Sequence, residues 1–258
     1  MAEPVLFEQK DSIVTLTMNA AETRNALSGE ILETLVELLE KSASDAACRA
    51  IVLTGGKEYF SSGGNINNMK AERTLPVARE RVGLGGKLAR AIMMNPKPVI
   101  SAVEGYAAGA GFSLAVGADY VVASENAKFL AAFSKVGLLP DVGMLWSLVQ
   151  RVSLGQAKRM IASARKVEAE EAFQLGIVDK LVPVGSALEE AIVVAKEFTS
   201  GAPLPFAIMK QAYATGISGL EDALRCEMQA QSSLYLTKDH RAAVLAYLDK
   251  QVPIFKGE

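Results

Sequence analysis

Between Pro98 and Ser113 an apolar, β-branched run passes through a cluster of glycines straight into helix-forming residues. Pro98-Val99-Ile100-Ser101-Ala102-Val103 reads as a buried strand, because it is almost continuously apolar. Gly105-Tyr106-Ala107-Ala108-Gly109-Ala110-Gly111-Phe112-Ser113 follows, and Leu114-Ala115-Val116 carries on with good helix formers. Small residues at such a junction let a ligand approach the backbone. The first N–H groups of a helix have no partner within it, so here they point into the gap and can hold negative charge. The same glycines also suit simple packing of a tight strand–helix junction. This stretch alone leaves both readings open.

Strand and helix signals alternate up to about residue 183. Val5 to Lys10 and Ile13 to Met18 are extended runs split by Asp11-Ser12, a hairpin signal. Ser28 is an N-cap for a helix to about Ser42, whose Ile31, Leu32, Leu35, Leu38 and Leu39 recur at helical spacing. A strand from Ala50 to Thr54 is closed by Gly55-Gly56. Phe60-Ser61-Ser62-Gly63-Gly64-Asn65-Ile66 then forms a second small-residue loop feeding a short helix. Lys70 to Lys87 is charged and broken by Pro76, Gly83, Gly85 and Gly86, and is expected to be a mobile helical excursion. Further strands are expected at Asp119–Ser124, at a short extended Lys128-Phe129-Leu130, and at Val178–Val182. Helices are expected at Val142–Arg151 and Leu154–Ser163. From Ser186 onward the pattern is helical, broken at Gly201-Ala202-Pro203 and Thr237-Lys238-Asp239. The expectation is an α/β core over residues 1–198 and a helical packing or assembly region over 199–258.

With 258 residues, 50% of them apolar, the chain can bury a full core. A net charge of −2 without a basic block argues against nucleic-acid or membrane-surface partners. Cys48 and Cys226 stand alone and His240 is the only histidine, so no disulfide framework and no metal site is expected. Met1 to Lys10 lacks an apolar signal core and no apolar run reaches membrane-spanning length. A cytoplasmic protein is expected.

The loops around Gly64 and Ala110 each follow a strand and open a helix. If both helix starts face one pocket, two backbone N–H groups grip a single carbonyl oxygen and stabilise an oxyanion or enolate. Neither loop fits a P-loop or a dinucleotide fingerprint.

In these residues the chain resembles the crotonase superfamily, the enoyl-CoA hydratases and isomerases, over essentially its whole length. The resemblance is carried by Thr23-Arg24-Asn25-Ala26-Leu27-Ser28, Phe60 to Ile66, Lys97 to Tyr106 and Gly109-Ala110-Gly111. Phe133-Ser134-Lys135-Val136-Gly137-Leu138-Leu139-Pro140-Asp141, Ala169-Glu170-Glu171-Ala172, Leu175-Gly176-Ile177-Val178 and Phe255-Lys256-Gly257 extend it. It implies a spiral of ββα units with a C-terminal helical region that builds trimers, often paired into hexamers. It also implies an acyl-CoA thioester as substrate, with no separate cofactor and with the carbonyl between the amides of Gly64 and Ala110. Arg24 and the backbone near Ala26 and Leu27 would meet the CoA nucleotide. Lys256 would reach the CoA phosphates of a neighbouring subunit. Ser62, Gly63, Asn65, Ile66, Tyr106, Gly109, Ser113, Phe133 and Pro140 complete the expected substrate shell.

Departures from the family pattern narrow the chemistry. Similar hydratases carry two glutamates, at the positions of Ser113 and Phe133, and both are missing here. Adding water needs one group to activate it and another to manage the α-proton. Asp141 follows Pro140 at the position where several similar isomerases, including ring-opening aromatic-CoA isomerases, carry an acidic base. One carboxylate suffices to move a double bond, and apolar neighbours such as Phe133, Leu138, Leu139 and Val142 would raise its pKa. Pro-Asp before a helix is also an ordinary N-cap arrangement. Glu104 reads as structural, and Asn65 as closing its turn through its side chain.

Two other classes compete. Gly111-Phe112-Ser113-Leu114-Ala115 nearly matches a nucleophile elbow, with His240 later in the chain, which would suit a serine hydrolase. The missing glutamates would also suit a catalytically silent CoA-binding protein.

Overall fold

The computed structural model describes residues 3–70 and 72–258. Ala71, inside the expected excursion, lies outside the described residues, as do Met1 and Ala2. β1 (Val5–Lys10) and β2 (Ile13–Met18) form the anticipated hairpin. Ser28 caps α1 (Gly29–Ser44), its hydroxyl accepting from the Ile31 N–H at 3.2 Å. α1 buries Ile31, Leu32, Leu35, Val36 and Leu39, one stripe at the 3.6-residue period. β3 (Ala50–Thr54) runs parallel to β2.

The next segment departs from expectation: α2 (Leu75–Met93) is one continuous 19-residue helix. Pro76 lies in its first turn, where a missing N–H breaks no intrahelical bond. Gly83 faces open space, whereas a methyl on Gly85 would sit 3.4 Å from Val142 Cγ2. α2 therefore docks on Val142 through a glycine.

β4 (Val99–Val103) does not enter a helix directly; β5 (Tyr106–Ala108) intervenes before α3 (Ala110–Val116). β6 (Tyr120–Ser124) and β7 (Lys128–Leu130) follow. The helix expected from Val142 is delayed, because Val142 and Gly143 adopt the left-handed region (φ 50° and 78°). α4 (Met144–Ser147) is correspondingly short and continues only as a 3-10 turn over Leu148–Gln150. Then come α5 (Leu154–Ser163), the unanticipated β8 (Lys166–Glu168), α6 (Ala169–Gln174) and β9 (Lys180–Val182). β9 starts later than expected because Asp179 turns its carboxylate to the Val121 N–H, at 2.7 Å. The helices α7 (Ala187–Thr199), α8 (Pro203–Thr215), α9 (Leu220–Leu234) and α10 (Lys238–Leu248) complete the chain.

The large sheet has the order β1-β2-β3-β4-β6-β9 and is parallel except at β1/β2. A second wall, β5-β7-β8, is prolonged by parallel bridges between Ser61 and Ala107 and between Ala26 and Gly63. Successive turns thus lay one segment in the large sheet and the next in the small wall, the ββα spiral of the crotonase fold. The main core lies between the walls, and α7 seals the outer face by packing Ala187, Ala191, Val194 and Ala195 on Val52, Ile100 and Val122.

Glu104 is structural, as its position suggested. One carboxylate oxygen accepts from the N–H groups of Gly185 and Ala187, at 3.0 and 3.1 Å, at the start of α7. α8 is tied down by an ion pair between Lys210 Nζ and Asp119 Oδ2 at 2.6 Å, with only 5% of the lysine side chain exposed. The Asp239 carboxylate accepts from the N–H groups of Lys256 and Gly257, both at 2.8 Å, and holds the C-terminal tail on α10. Among the described residues no single helix is long and apolar enough to cross a membrane.

Candidate active site

The two small-residue loops end neighbouring segments of the small wall, and that stacking brings them together. Ser61 donates its N–H to the Tyr106 carbonyl and accepts from the Ala108 N–H, both at 2.9 Å. A methyl on Gly63 would lie 2.4 Å from the Ala108 carbonyl oxygen and 3.1 Å from the Ala110 nitrogen, so the loops are in van der Waals contact. Ala110 opens α3, where the geometry of a helix start leaves its N–H without an intrahelical acceptor. Among the described residues neither it nor the Gly64 N–H donates to a backbone or side-chain acceptor. Two amide donors are therefore available on one side of the same cleft.

The first loop is held from below by the 20–27 segment. Asn25 is buried and its side-chain amide donates to the carbonyls of Gly55, Tyr59 and Phe60, at 2.8, 3.0 and 3.3 Å. The Ser62 N–H meets the Arg24 carbonyl and its hydroxyl the Thr23 carbonyl, both at 2.9 Å. Leu27 donates to the Gly63 carbonyl at 2.7 Å. Preorganisation of this kind is what lets amide dipoles act without rearranging during a reaction.

A cavity of about 230 Å³ opens beside these loops. Gly64, Gly109 and Ala110 form one side, and Leu32, Ile66, Val82, Phe133 and Val142 supply apolar walls. Asp141 faces it. One of its carboxylate oxygens is buried and makes no hydrogen bond. Burial pushes the Asp141 carboxyl above the ordinary carboxylate range, while the nearby Arg81 guanidinium acts in the opposite direction. The capping alternative fails on geometry. Two left-handed residues separate Asp141 from α4, Gly143 is the N-cap, and no side chain caps that helix.

Several expected residues do reach the cavity: Leu27, Ser62, Gly64, Ile66, Gly109, Ala110, Phe133 and Asp141 line it. Gly63 and Ala26 lie directly behind, bridged to each other, and Pro140 is buried behind Asp141. Asn65 closes its turn by accepting from the Asn67 N–H at 3.0 Å. Ser113, in contrast, is fully buried on α3, its hydroxyl directed at the Gly109 carbonyl, and does not reach the cavity. Tyr106 points outward, with Lys128 Nζ 5.3 Å from its ring centre. Arg24 is exposed with its guanidinium over Tyr59, and Lys256 is exposed on the tail; neither lines the cavity. Ser113 and His240 form no pair: the imidazole packs edge-on against Tyr235, with ring centres 5.1 Å apart. A serine-hydrolase site is thereby removed.

α2 contributes residues that sequence reasoning did not assign. Ala78, Arg81, Val82 and Gly85 line the cavity from this helix, and Arg73 from the segment before it. The spacing 78, 82, 85, 89, 92 was the available signal, since it marks one helix face. A larger cavity of about 380 Å³ lies under α8, but its charged groups Arg151, Asp179, Lys210 and Asp119 are paired with one another.

Two free amides, a partly desolvated carboxylate and an apolar hollow are the parts of an enzyme that holds a carbonyl-stabilised carbanion. The chain belongs to the enoyl-CoA hydratase/isomerase family, whose model matches residues 8–258. It is similar to a probable enoyl-CoA hydratase of Rhodobacter capsulatus, at 35% identity with 98% of each chain covered. It is also similar to 1,2-epoxyphenylacetyl-CoA isomerase of Escherichia coli, at 31% identity with 100% of each covered. A crystal structure of an enoyl-CoA hydratase from Polaromonas superposes with a TM-score of 0.91 at 32% identity, covering 97% of this chain and 99% of that one.

Proposed function

We propose that this enzyme shifts a double bond in an acyl-CoA thioester, converting 3-enoyl-CoA to 2-enoyl-CoA, with Asp141 as the single acid–base. The observation that carries the reading is the Asp141 carboxylate facing the cavity that Gly64 and Ala110 also line. The thioester carbonyl accepts from the two amides. Asp141 takes a proton from C2, the negative charge spreads over a dienolate gripped at its oxygen, and the same carboxyl returns the proton at C4. Proton transfer of this kind draws on no cofactor beyond the CoA of the substrate. Among the described residues lining the cavity Asp141 is the one carboxylate, since Phe133 forms part of the wall and Ser113 is sealed away from it.

Hydration of 2-enoyl-CoA is the second reading, favoured by the hydratase names of the relatives. Rates on a 3-enoyl-CoA and on crotonyl-CoA decide between them. Isomerisation should be much the faster, and Asp141→Asn should lower its kcat by roughly 10²- to 10⁴-fold with thioester affinity nearly unchanged. Faster hydration than isomerisation, or an Asp141→Asn enzyme with normal kcat, would defeat the proposal.

The assembly we propose is a homotrimer or a dimer of trimers. Leu220, Leu224, Met228, Leu245 and Leu248 on α9 and α10 are exposed in one chain, a surface suited to burial against other copies. Light scattering that reports a monomer at micromolar concentration would refute this.

A further inference from the structure

Asp141 must be charged before it can take a proton, and its surroundings work against that. Leu32, Ile66, Val82, Phe133 and Val142 wall the cavity it faces, and one of its oxygens is buried without a hydrogen bond. Burial of this kind favours the neutral acid, which is no base. A carboxylate locked in a direct salt bridge fails in the opposite way: it stays ionised but becomes too weak a base.

The charges that face Asp141 decide between these limits. Among the described residues, the charged side chains lining the cavity besides Asp141 itself are Arg73 and Arg81. α3 and α4 carry no charged residue, and Lys135 in the preceding loop is exposed and lies outside the lining. Arg73 is exposed and has a partner. Arg81 is half-buried, enters from the second turn of α2, and opposes the effect of burial on Asp141. Among the described residues no salt bridge joins the two, so the attraction acts across the hollow, where apolar walls screen it less than water would. Asp141 is drawn toward its charged form while one oxygen stays open to a proton.

Arg81 is also held in place. It donates to the Leu27 carbonyl at 3.4 Å, and the Leu27 N–H donates to the Gly63 carbonyl at 2.7 Å, beside Gly64. Gly85, one turn further along α2, rests on Val142, the neighbour of Asp141. The guanidinium is thereby fixed relative to both the first amide loop and the base.

We propose that Arg81 is a positioning residue of this site: tethered at Leu27, it keeps Asp141 in the charged form that removes the proton. This rests on the reading of Asp141 as the base.

The test reads Asp141 directly and then through turnover. Its carboxylate infrared band is titrated as the difference between each protein and the same protein carrying Asp141→Asn, for the wild type, Arg81→Met and Arg81→Lys. Arg81→Met should move this titration to higher pH, and Arg81→Lys should bring it back in part. The ratio of alkaline to acid kcat on a 3-enoyl-CoA should rise roughly tenfold or more in Arg81→Met, and less in Arg81→Lys. A merely structural loss lowers both ends alike and leaves that ratio unchanged. A band that titrates identically in Arg81→Met overturns the proposal, and so does a band that moves while the pH profile of kcat does not. An Asp141→Asn enzyme with normal kcat removes the base, and this proposal with it. An inert Asp141→Asn enzyme beside an unmoved band leaves the base standing and removes only the role of Arg81.

Discussion

Gly63 is the position where one added methyl should damage catalysis far more than it damages the fold. Its φ of 81° lies in the left-handed region, which costs an alanine roughly 1–2 kcal/mol. The new carbon would also sit 2.4 Å from the Ala108 carbonyl oxygen, inside the 3.0 Å limit that real contacts respect. The loops must part by about 0.6 Å (3.0 minus 2.4) to admit it. That displacement falls on the pair of segments that place Gly64 and Ala110, where misplacement on the order of 1 Å can cost about a hundredfold in rate. We expect Gly63→Ala to lose roughly 2–3 kcal/mol of stability, or roughly 4–12 °C in Tm for a chain of this size. Its kcat should fall by roughly 10²- to 10³-fold, as when one oxyanion donor is removed. Gly83→Ala is the matched control, because that glycine is helical and faces open space. It should gain roughly 0.5–1 kcal/mol. The assays are the conjugation of a 3-enoyl-CoA followed by absorbance, and calorimetric unfolding. A Gly63→Ala enzyme that unfolds like the wild type and turns over within about threefold of it would refute the claim that these loops jointly hold the carbonyl.

Three further outcomes follow from individual contacts. Burial raises the Asp141 pKa above the ordinary 3.8, so its ionised form weakens the folded state at neutral pH and the penalty is absent below about 3.8. Asp141→Asn should therefore raise Tm at pH 7 and lose that advantage as the pH falls toward 3.8; a lower Tm at every pH would contradict it. Lys210→Met strands the buried Asp119 carboxylate and should cost roughly 3–5 kcal/mol in urea unfolding; a loss under about 1 kcal/mol would show that the pair contributes little. If Lys256 pairs with a CoA phosphate of a neighbouring subunit, Lys256→Ala should weaken thioester binding modestly and more at low salt than at high salt; unaltered affinity at low salt removes that contact.

The stretches that local chemistry determines were legible in the sequence. Ser28 and the leucine stripe announced α1, and alternation announced the hairpin, because each signal acts over a few residues. α2 was misread for an equally local reason. Pro76 and three glycines resemble breaks until one knows that the proline opens the helix and that Gly85 meets Val142. β5 and β8, three residues each, are too short to show a period and exist by pairing with β7. In the site, the loops around Gly64 and Ala110 were legible as small-residue turns feeding helices, whereas the role expected of Asp141 came from family resemblance, which supplies positions but not directions. Hence Ser113 and Tyr106 were expected to meet substrate, yet one faces inward and the other outward. Arg81 escaped notice because the helical spacing 78, 82, 85, 89, 92 marks one face of α2 but not where that face docks.

The docking of α2 also bears on how such an enzyme changes over generations. The half of the cavity that Gly64 and Ala110 line is woven from stacked turns, where Asn25 ties down the 55–60 segment and Ser61 and Ser62 both tie back to the 23–25 segment. An altered residue there disturbs several strands together. The half that α2 contributes comes from a single excursion between β3 and β4, anchored in the main core by Leu88, Ala89 and Ile92 near its C-terminal end while Val82, nearer its start, is exposed. Residues such as Ala78, Arg81 and Val82 can therefore drift, lengthen or reverse charge while the spiral beneath stays unchanged. If Asp141 is the base, as proposed, single substitutions on this one helix alter the walls that an acyl chain meets, whereas a new reaction needs a new group at the end of the Phe133 to Asp141 loop.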